Sequence, residues 1–352
     1  APTEAAPTEA APTEAAPAGA CTPGAGSIAV LLPDSSAPRW EMDDRRYLEG
    51  ALTAAGVPFT IANAQGDPAL QLAQAQKALV EGARVLILTG IDSEAGAAAI
   101  AEARAAGAAV IDYDRLTASG PGADLYVSFD NFAVGSLMAQ TLEPQINGLG
   151  VQPPRVVQLN GDPGDNNSSL VRAGYSSVAT PFYNDGRWYL VADQSVAGWS
   201  ADEARTIFSQ IVAEAGDEGI NAVFAANDVL AAAAVQVLKA QNAAPVLLSG
   251  QDATVEGLQN ILAGWQTMTV YKPIQQEAST AVVAALTFLN CEGASALNIT
   301  TMLNNGATDI PAILLDPVAV TQDNIAATVI ADGFRTWDEL CVGEYEQFCP
   351  ER

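Results

Sequence analysis

The chain of 352 residues contains no histidine. That removes Ser-His-Asp and Cys-His nucleophile systems, the commonest general base and the usual zinc ligand sets. Basic residues are scarce too: 15 Lys and Arg stand against 41 Asp and Glu, a formal charge of −26. Nucleic acid and anionic membrane faces repel such a chain. Lysine occurs only at Lys77, Lys239 and Lys272, so one at a strategic place is easy to notice. No apolar run reaches the ~18–20 residues that span a bilayer. No G-x-x-x-x-G-K-[ST] phosphate loop and no Cys-x-x-Cys are present, and "DPGDNN" lacks the spacing and closing glutamate of a calcium loop. No cofactor and no metal are expected.

What remains is a chain that is 49% hydrophobic, enough for a sizeable core and long enough for two domains. Its first twenty residues, "APTEAAPTEAAPTEAAPAGA", repeat Ala-Pro-Thr-Glu-Ala. Proline every fifth residue blocks regular helix, so residues 1–26 are expected to be a disordered, extended acidic tether. "AGAC" at Cys21 resembles a lipoprotein cleavage box, but no apolar stretch precedes it. Any signal and anchoring cysteine are expected before Ala1. Four cysteines allow three pairings. An exported body favours Cys341–Cys349, which closes the small loop "CVGEYEQFC", and by elimination Cys21–Cys291. Four unpaired thiols are the alternative, expected of a cytosolic protein.

Beyond the tether, short β-branched apolar runs alternate with helical periods. "SIAVLLP", "FTIANA", "RVLILTG", "AAVIDYD" and "DLYVSF" read as strands, followed by "RVVQLN", "WYLVAD", "NAVFAA", "APVLLSG" and "QTMTVY". The pattern is α/β with parallel sheet, and roughly ten strands exceed one comfortable open sheet. Two doubly wound domains are predicted. In such sheets, ligands bind beyond the carboxyl ends of the strands. The residues just past each strand are Arg39, Trp40, Asp114, Arg115, Asp165, Asn167, Arg172, Trp199, Asn227, Asp252 and Lys272. Carboxylate, carboxamide and guanidinium groups can each grip vicinal hydroxyls, and indoles stack on the C–H faces of a pyranose. Alternatives stay open for single residues: Asp165 could merely cap a helix, and Trp40 could be core. A glycosidase would need paired carboxylates, but Asp165 and Asp252 stand beside basic or amide groups. No catalytic residue is assigned, and the chain is not expected to be an enzyme.

"PRWEMDDR", "DYDR", "SFDNFAVG", "GDPGDNNSSLVRAG", "FAANDVLAA", "SGQDA", "QTMTVYKPI" and "LNNGATDIPAILLDPVAVT" occur in this order. They resemble the bacterial D-xylose-binding proteins of ABC importers, in the ribose/galactose-binding group, from about Ser27 to about Glu339. The resemblance implies the type I periplasmic binding protein fold, with three crossings between domains, near Phe129, Tyr271 and Asn305. One lobe is then 27–129 plus 272–305, and the other 130–271 plus 306–352. The resemblance also implies that Trp40 and Trp199 sandwich the sugar and that the nine polar residues above contact it. It places Cys21 near Cys291. It implies a monomer outside the cytoplasm, tethered as a lipoprotein, that closes on a monosaccharide and docks on a membrane permease. The segment "DSSAPRW" carries small residues where the family tends to bulkier ones, leaving glucose beside xylose as a ligand. A chemoreceptor-coupled sensor is a further reading. A transcription regulator of the same fold would need a basic helix-turn-helix where the acidic tether stands.

Overall fold

The computed structural model describes residues 21–350, so the repeat at 1–20 lies outside the described residues. The first sheet is built from β1 (Ser27–Leu32), β2 (Phe59–Asn63), β3 (Ala83–Leu88), β4 (Ala109–Tyr113) and β5 (Leu125–Phe129). Two late strands, β11 (Thr301–Asn304) and β12 (Asp309–Leu315), complete it in the order β11-β12-β5-β4-β3-β1-β2. All pairs in it are parallel except β11 with β12. Alternation along β1 shows how this sheet is covered on both faces. Ile28, Val30 and Leu32 pack with α1 (Arg45–Ala55) and α9 (Ile274–Leu289), while Ala29 and Leu31 face α2 (Pro68–Val80) and α3 (Ser93–Ala105).

The second sheet runs β7 (Tyr189–Ser195), β6 (Arg155–Asn160), β8 (Ala222–Ala225) and β9 (Leu247–Leu248). A parallel bridge from Gln251 to Val270 continues it to β10 (Met268–Tyr271), which pairs antiparallel with β13 (Val318–Thr321). Its core joins α4 (Asn131–Asn147), α5 (Asn166–Asn184), α6 (Ala201–Ala215) and α7 (Asp228–Ala240). Between α4 and α5 the contact is close enough that a Cβ on Gly135 would lie 1.9 Å from the Val171 carbonyl. The tail after β13 packs on α8 (Val255–Leu262), where Gln259 donates to the Leu340 carbonyl.

The chain passes between the sheets after β5 and after β10. Its last passage follows β12, at residues 316–317, and does not lie near Asn305. β12 pairs with β5 through Ala312–Leu315 and so belongs to the first sheet. Among the described residues there are thirteen strands rather than ten, the last three having no clear signal in the apolar pattern. Residues 21–26 are not tether either. Cys21 is bonded to Cys291, and the Gly24 amide donates to the Leu289 carbonyl at the end of α9. Cys341–Cys349 is the second disulfide. No helix among the described residues is long and apolar enough to cross a membrane.

Candidate functional site

Between the carboxyl edges of the two sheets lies a small cavity lined by residues of both lobes. Ten of the eleven predicted residues line it: Arg39, Trp40, Asp114, Arg115, Asp165, Asn167, Trp199, Asn227, Asp252 and Lys272. Arg172 does not. It is half-exposed on α5 and pairs with Asp193. At 100° per residue it points well away from Asn167, whereas Val171, four residues after Asn167, returns to the cavity. Ala37 and Gln251 also line the cavity and had been overlooked in the sequence.

Each group is set by the local chain. After β1 the backbone forms a wide turn, Trp40–Asp44, before α1 begins. Asp44 accepts from Nε and Nη2 of Arg39, both at 2.9 Å. This planar fork leaves Nη1 of Arg39 to reach Asp114 at 2.9 Å. Lys272, just past β10, reaches the same Asp114 oxygen at 3.1 Å. The Asp114 carbonyl accepts from Ser128, Tyr126 and Asn167. Burial alone would raise the Asp114 pKa, but Arg39, Lys272 and Arg115 hold its carboxyl well below the ordinary range. It is a permanent acceptor.

Asp165 both caps and binds. Its Oδ1 accepts from the Asn167 amide at 2.9 Å, opening α5. Its Oδ2 meets Arg115 Nε at 3.0 Å and the Trp199 indole N–H at 3.2 Å. Burial pushes its pKa up. Asn227 likewise gives its oxygen to the Leu230 amide as the cap of α7, leaving its NH₂ as the free donor. Trp199 needs Gly161 beneath it, because a Cβ there would sit 2.0–2.4 Å from three carbons of the indole. Arg39 and Arg115 lie 4.3 and 5.3 Å from the centre of the Trp40 ring. Asp114, Trp199 and Asp252 adopt positive φ of 62°, 53° and 94°, a strained backbone that fixes their directions.

Three cations and three carboxylates line the cavity, so its walls balance in charge. Behind them, buried Glu277 lies 3.5 Å from Arg39 Nη2, and burial holds its carboxyl well above the ordinary range. Such walls suit a neutral, hydroxyl-rich molecule with apolar faces better than an ion.

Comparison with known proteins identifies the family. Residues 28–293 match the model of the periplasmic binding protein domain. The D-xylose-binding periplasmic protein of Escherichia coli K12 is 36% identical over 89% of this chain and 92% of its own. Its Haemophilus influenzae counterpart is 35% identical over 89% and 91%. The crystal structure of a carbohydrate transporter solute binding protein from Chloroflexus aurantiacus in complex with D-glucose superposes with a TM-score of 0.83. It is 28% identical, covering 90% of this chain and 98% of that one. The chain thus belongs to the periplasmic binding protein family, with the type I fold, and is a binding protein rather than an enzyme.

Proposed function

We propose that the protein captures a monosaccharide, D-xylose foremost, between its two lobes and presents it outside the cytoplasm to an ABC permease. The observation that carries this reading is the charge-balanced cavity with an indole from each lobe among its walls. Arg39, Asp114, Arg115, Asp165, Asn167, Asn227, Asp252 and Lys272 supply the hydrogen bonds to hydroxyls, Gln251 adds a further partner, and Trp40 and Trp199 stack on the ring faces. Gln251 Oε1 is buried and makes no hydrogen bond among the described residues, as expected of a group kept for a ligand. The hinge strands cross after Phe129, after Tyr271 and at 316–317. Sugar bridging both lobes favours the closed form by its differential affinity for it. The body acts as a monomer, and the acidic repeat is a spacer between it and a lipid anchor.

Glucose is the second reading. Carbon five of xylose is the ring carbon without a hydroxyl, and beside the indoles only Ala37 and Val171 offer aliphatic wall. The small side chain of Ala37 in the cavity wall supports this reading, as does the Chloroflexus aurantiacus neighbour in complex with D-glucose. Competition titrations with xylose, glucose, ribose and galactose test the assignment. Xylose is expected to bind, glucose comparably or less, and the other two much more weakly, since a misplaced hydroxyl leaves a buried partner unsatisfied at about 1–3 kcal/mol. Ribose or galactose binding ahead of both would overturn it. The same sugars with no detectable binding at all would sink the capture function.

A further inference from the structure

Away from the cavity, a second set of contacts joins the two lobes. Asp43 lies in the Trp40–Asp44 turn of the first lobe, adjacent to the Asp44 that holds Arg39. It accepts a planar two-point contact from Arg335, Nη1 to Oδ1 at 2.7 Å and Nη2 to Oδ2 at 2.8 Å. Arg335 belongs to the tail that packs on the second lobe, and its Nε donates to the Ala253 carbonyl at 3.1 Å. Both partners are buried. One helical turn beyond Asp43, the Tyr47 ring stacks on Phe334 at 6.5 Å, so consecutive tail residues meet a single face of the helix. Arg46 Nη2, at 3.9 Å, is a more distant second cation on Asp43.

The placement of this pair relates it to ligand capture. On the first lobe, the Asp43 turn is the one that bears Trp40. On the second, Ala253 follows Asp252, and both residues have positive φ, 46° and 94°. One guanidinium therefore grips the strained segment carrying one cavity wall and the turn carrying the other. We infer that Asp43 and Arg335 form a latch that stabilises the closed form without touching the ligand, Arg335 being a positioning residue for Asp252. The inference rests on the proposed capture of a sugar by closure. When the lobes separate, both charges regain water, so loss of either partner penalises the closed state selectively. Affinity then falls with the fraction of closure-competent molecules.

The test uses Asp43→Asn, Arg335→Gln and the double variant, with xylose and glucose titrated calorimetrically and release followed by stopped-flow intrinsic fluorescence. Each single variant is expected to bind about tenfold more weakly, chiefly through faster release. The double variant is expected to be no weaker than the worse single, because the two residues act as one pair. The melting temperature without sugar is expected to change little. Unchanged affinity with a lowered melting temperature would make the pair a static contact and overturn the latch. Additive losses in the double variant would overturn the pairing. If Arg335→Gln fails to fold, Asp43→Asn retains the shape and decides alone. A parent protein that binds neither sugar refutes the sugar reading and this inference with it, whereas a binding parent with equally binding variants refutes only the latch.

Discussion

Gly161 offers the sharpest test of the cavity, because it touches no ligand position itself. It follows β6 and lies against Trp199, whose six-membered ring carbons would be 2.0, 2.3 and 2.4 Å from an added Cβ. Carbon atoms in contact sit about 3.5–4.0 Å apart, so Gly161→Ala must drive the indole roughly 1.5 Å away from β6. Trp199 cannot move so far and keep its bond to Asp165 at 3.2 Å. Its backbone is already at positive φ. The ring moves into the space the sugar needs, and both stacking and the Asp165 hydrogen bond are lost. Their sum is about 2–4 kcal/mol, or roughly 30- to 1,000-fold in affinity. Trp199→Ala removes the stacking surface yet leaves the slot open, at about 1–3 kcal/mol. The double variant Gly161→Ala/Trp199→Ala has no clash left, so it is expected to bind like Trp199→Ala alone. Calorimetric titration of the three variants decides. Gly161→Ala binding within twofold of the parent, or a double variant much weaker than either single, would refute the account.

Other outcomes follow from the same geometry. Lys272→Met keeps much of the side-chain length but removes a cation from Asp114, and sugar affinity is expected to fall by roughly 1–3 kcal/mol; unchanged affinity in folded protein would make Lys272 purely structural. Asp112 and Asp228 are buried, and burial pushes both carboxyls up to about 7. Because the folded pKa is raised, folding takes up protons between about pH 4 and 7, and stability is lost as pH rises through that window, on the order of 4 kcal/mol per group. Denaturant unfolding at several pH values checks this, and stability that climbs from pH 5 to 8 would contradict it. Reduction of Cys21–Cys291, which spans 270 residues, is expected to destabilise by about 6 kcal/mol in the chain-entropy account. A melting temperature indifferent to reductant would count against that contribution.

How far the sequence revealed this protein differs from region to region. The first ten strands were legible because each is a short apolar run bounded by turn residues, and the rule that ligands gather beyond strand ends then selected ten cavity residues. β11, β12 and β13 were not. Pro311 and Pro317 break the apolar pattern there, and the third crossing, which the family resemblance implied near Asn305, follows β12 instead. The dipeptide Asn305-Gly306, between β11 and β12, was the available hairpin signal. Arg172 is near the strand end along the chain, but its position around α5 turns it from the cavity towards Asp193. Gln251 was hidden beside the more conspicuous Asp252. The supporting groups Glu277 and Arg335 are 238 and 292 residues from the partners they meet, Arg39 and Asp43. No local pattern encodes such pairings; only the packed lobes bring them together.

The electrostatics of the cavity also set how binding responds to acid. Asp114 is shared by Arg39 and Lys272 and stays ionised far into acid, so it contributes no pH dependence in the neutral range. Asp165 is different. Burial raises its pKa first of all, the nearby Asp114 charge adds to this, and Arg115 opposes both. As pH falls, Asp165 is therefore the cavity carboxylate that takes up a proton before Asp114. The proton occupies an oxygen that serves Arg115 and the Trp199 N–H, loosening one stacking wall and freeing a cation beside the sugar. Affinity is expected to be flat around neutrality and to weaken on the acid side. Asp165→Asn is expected to bind more weakly at neutral pH but to lose the acid limb, because its carboxamide does not titrate. Sugar titrations of both proteins down to about pH 4, the ordinary carboxylate range, distinguish the outcomes. An acid limb that survives in Asp165→Asn would assign the response to another group and remove Asp165 from its pivotal place in the wall.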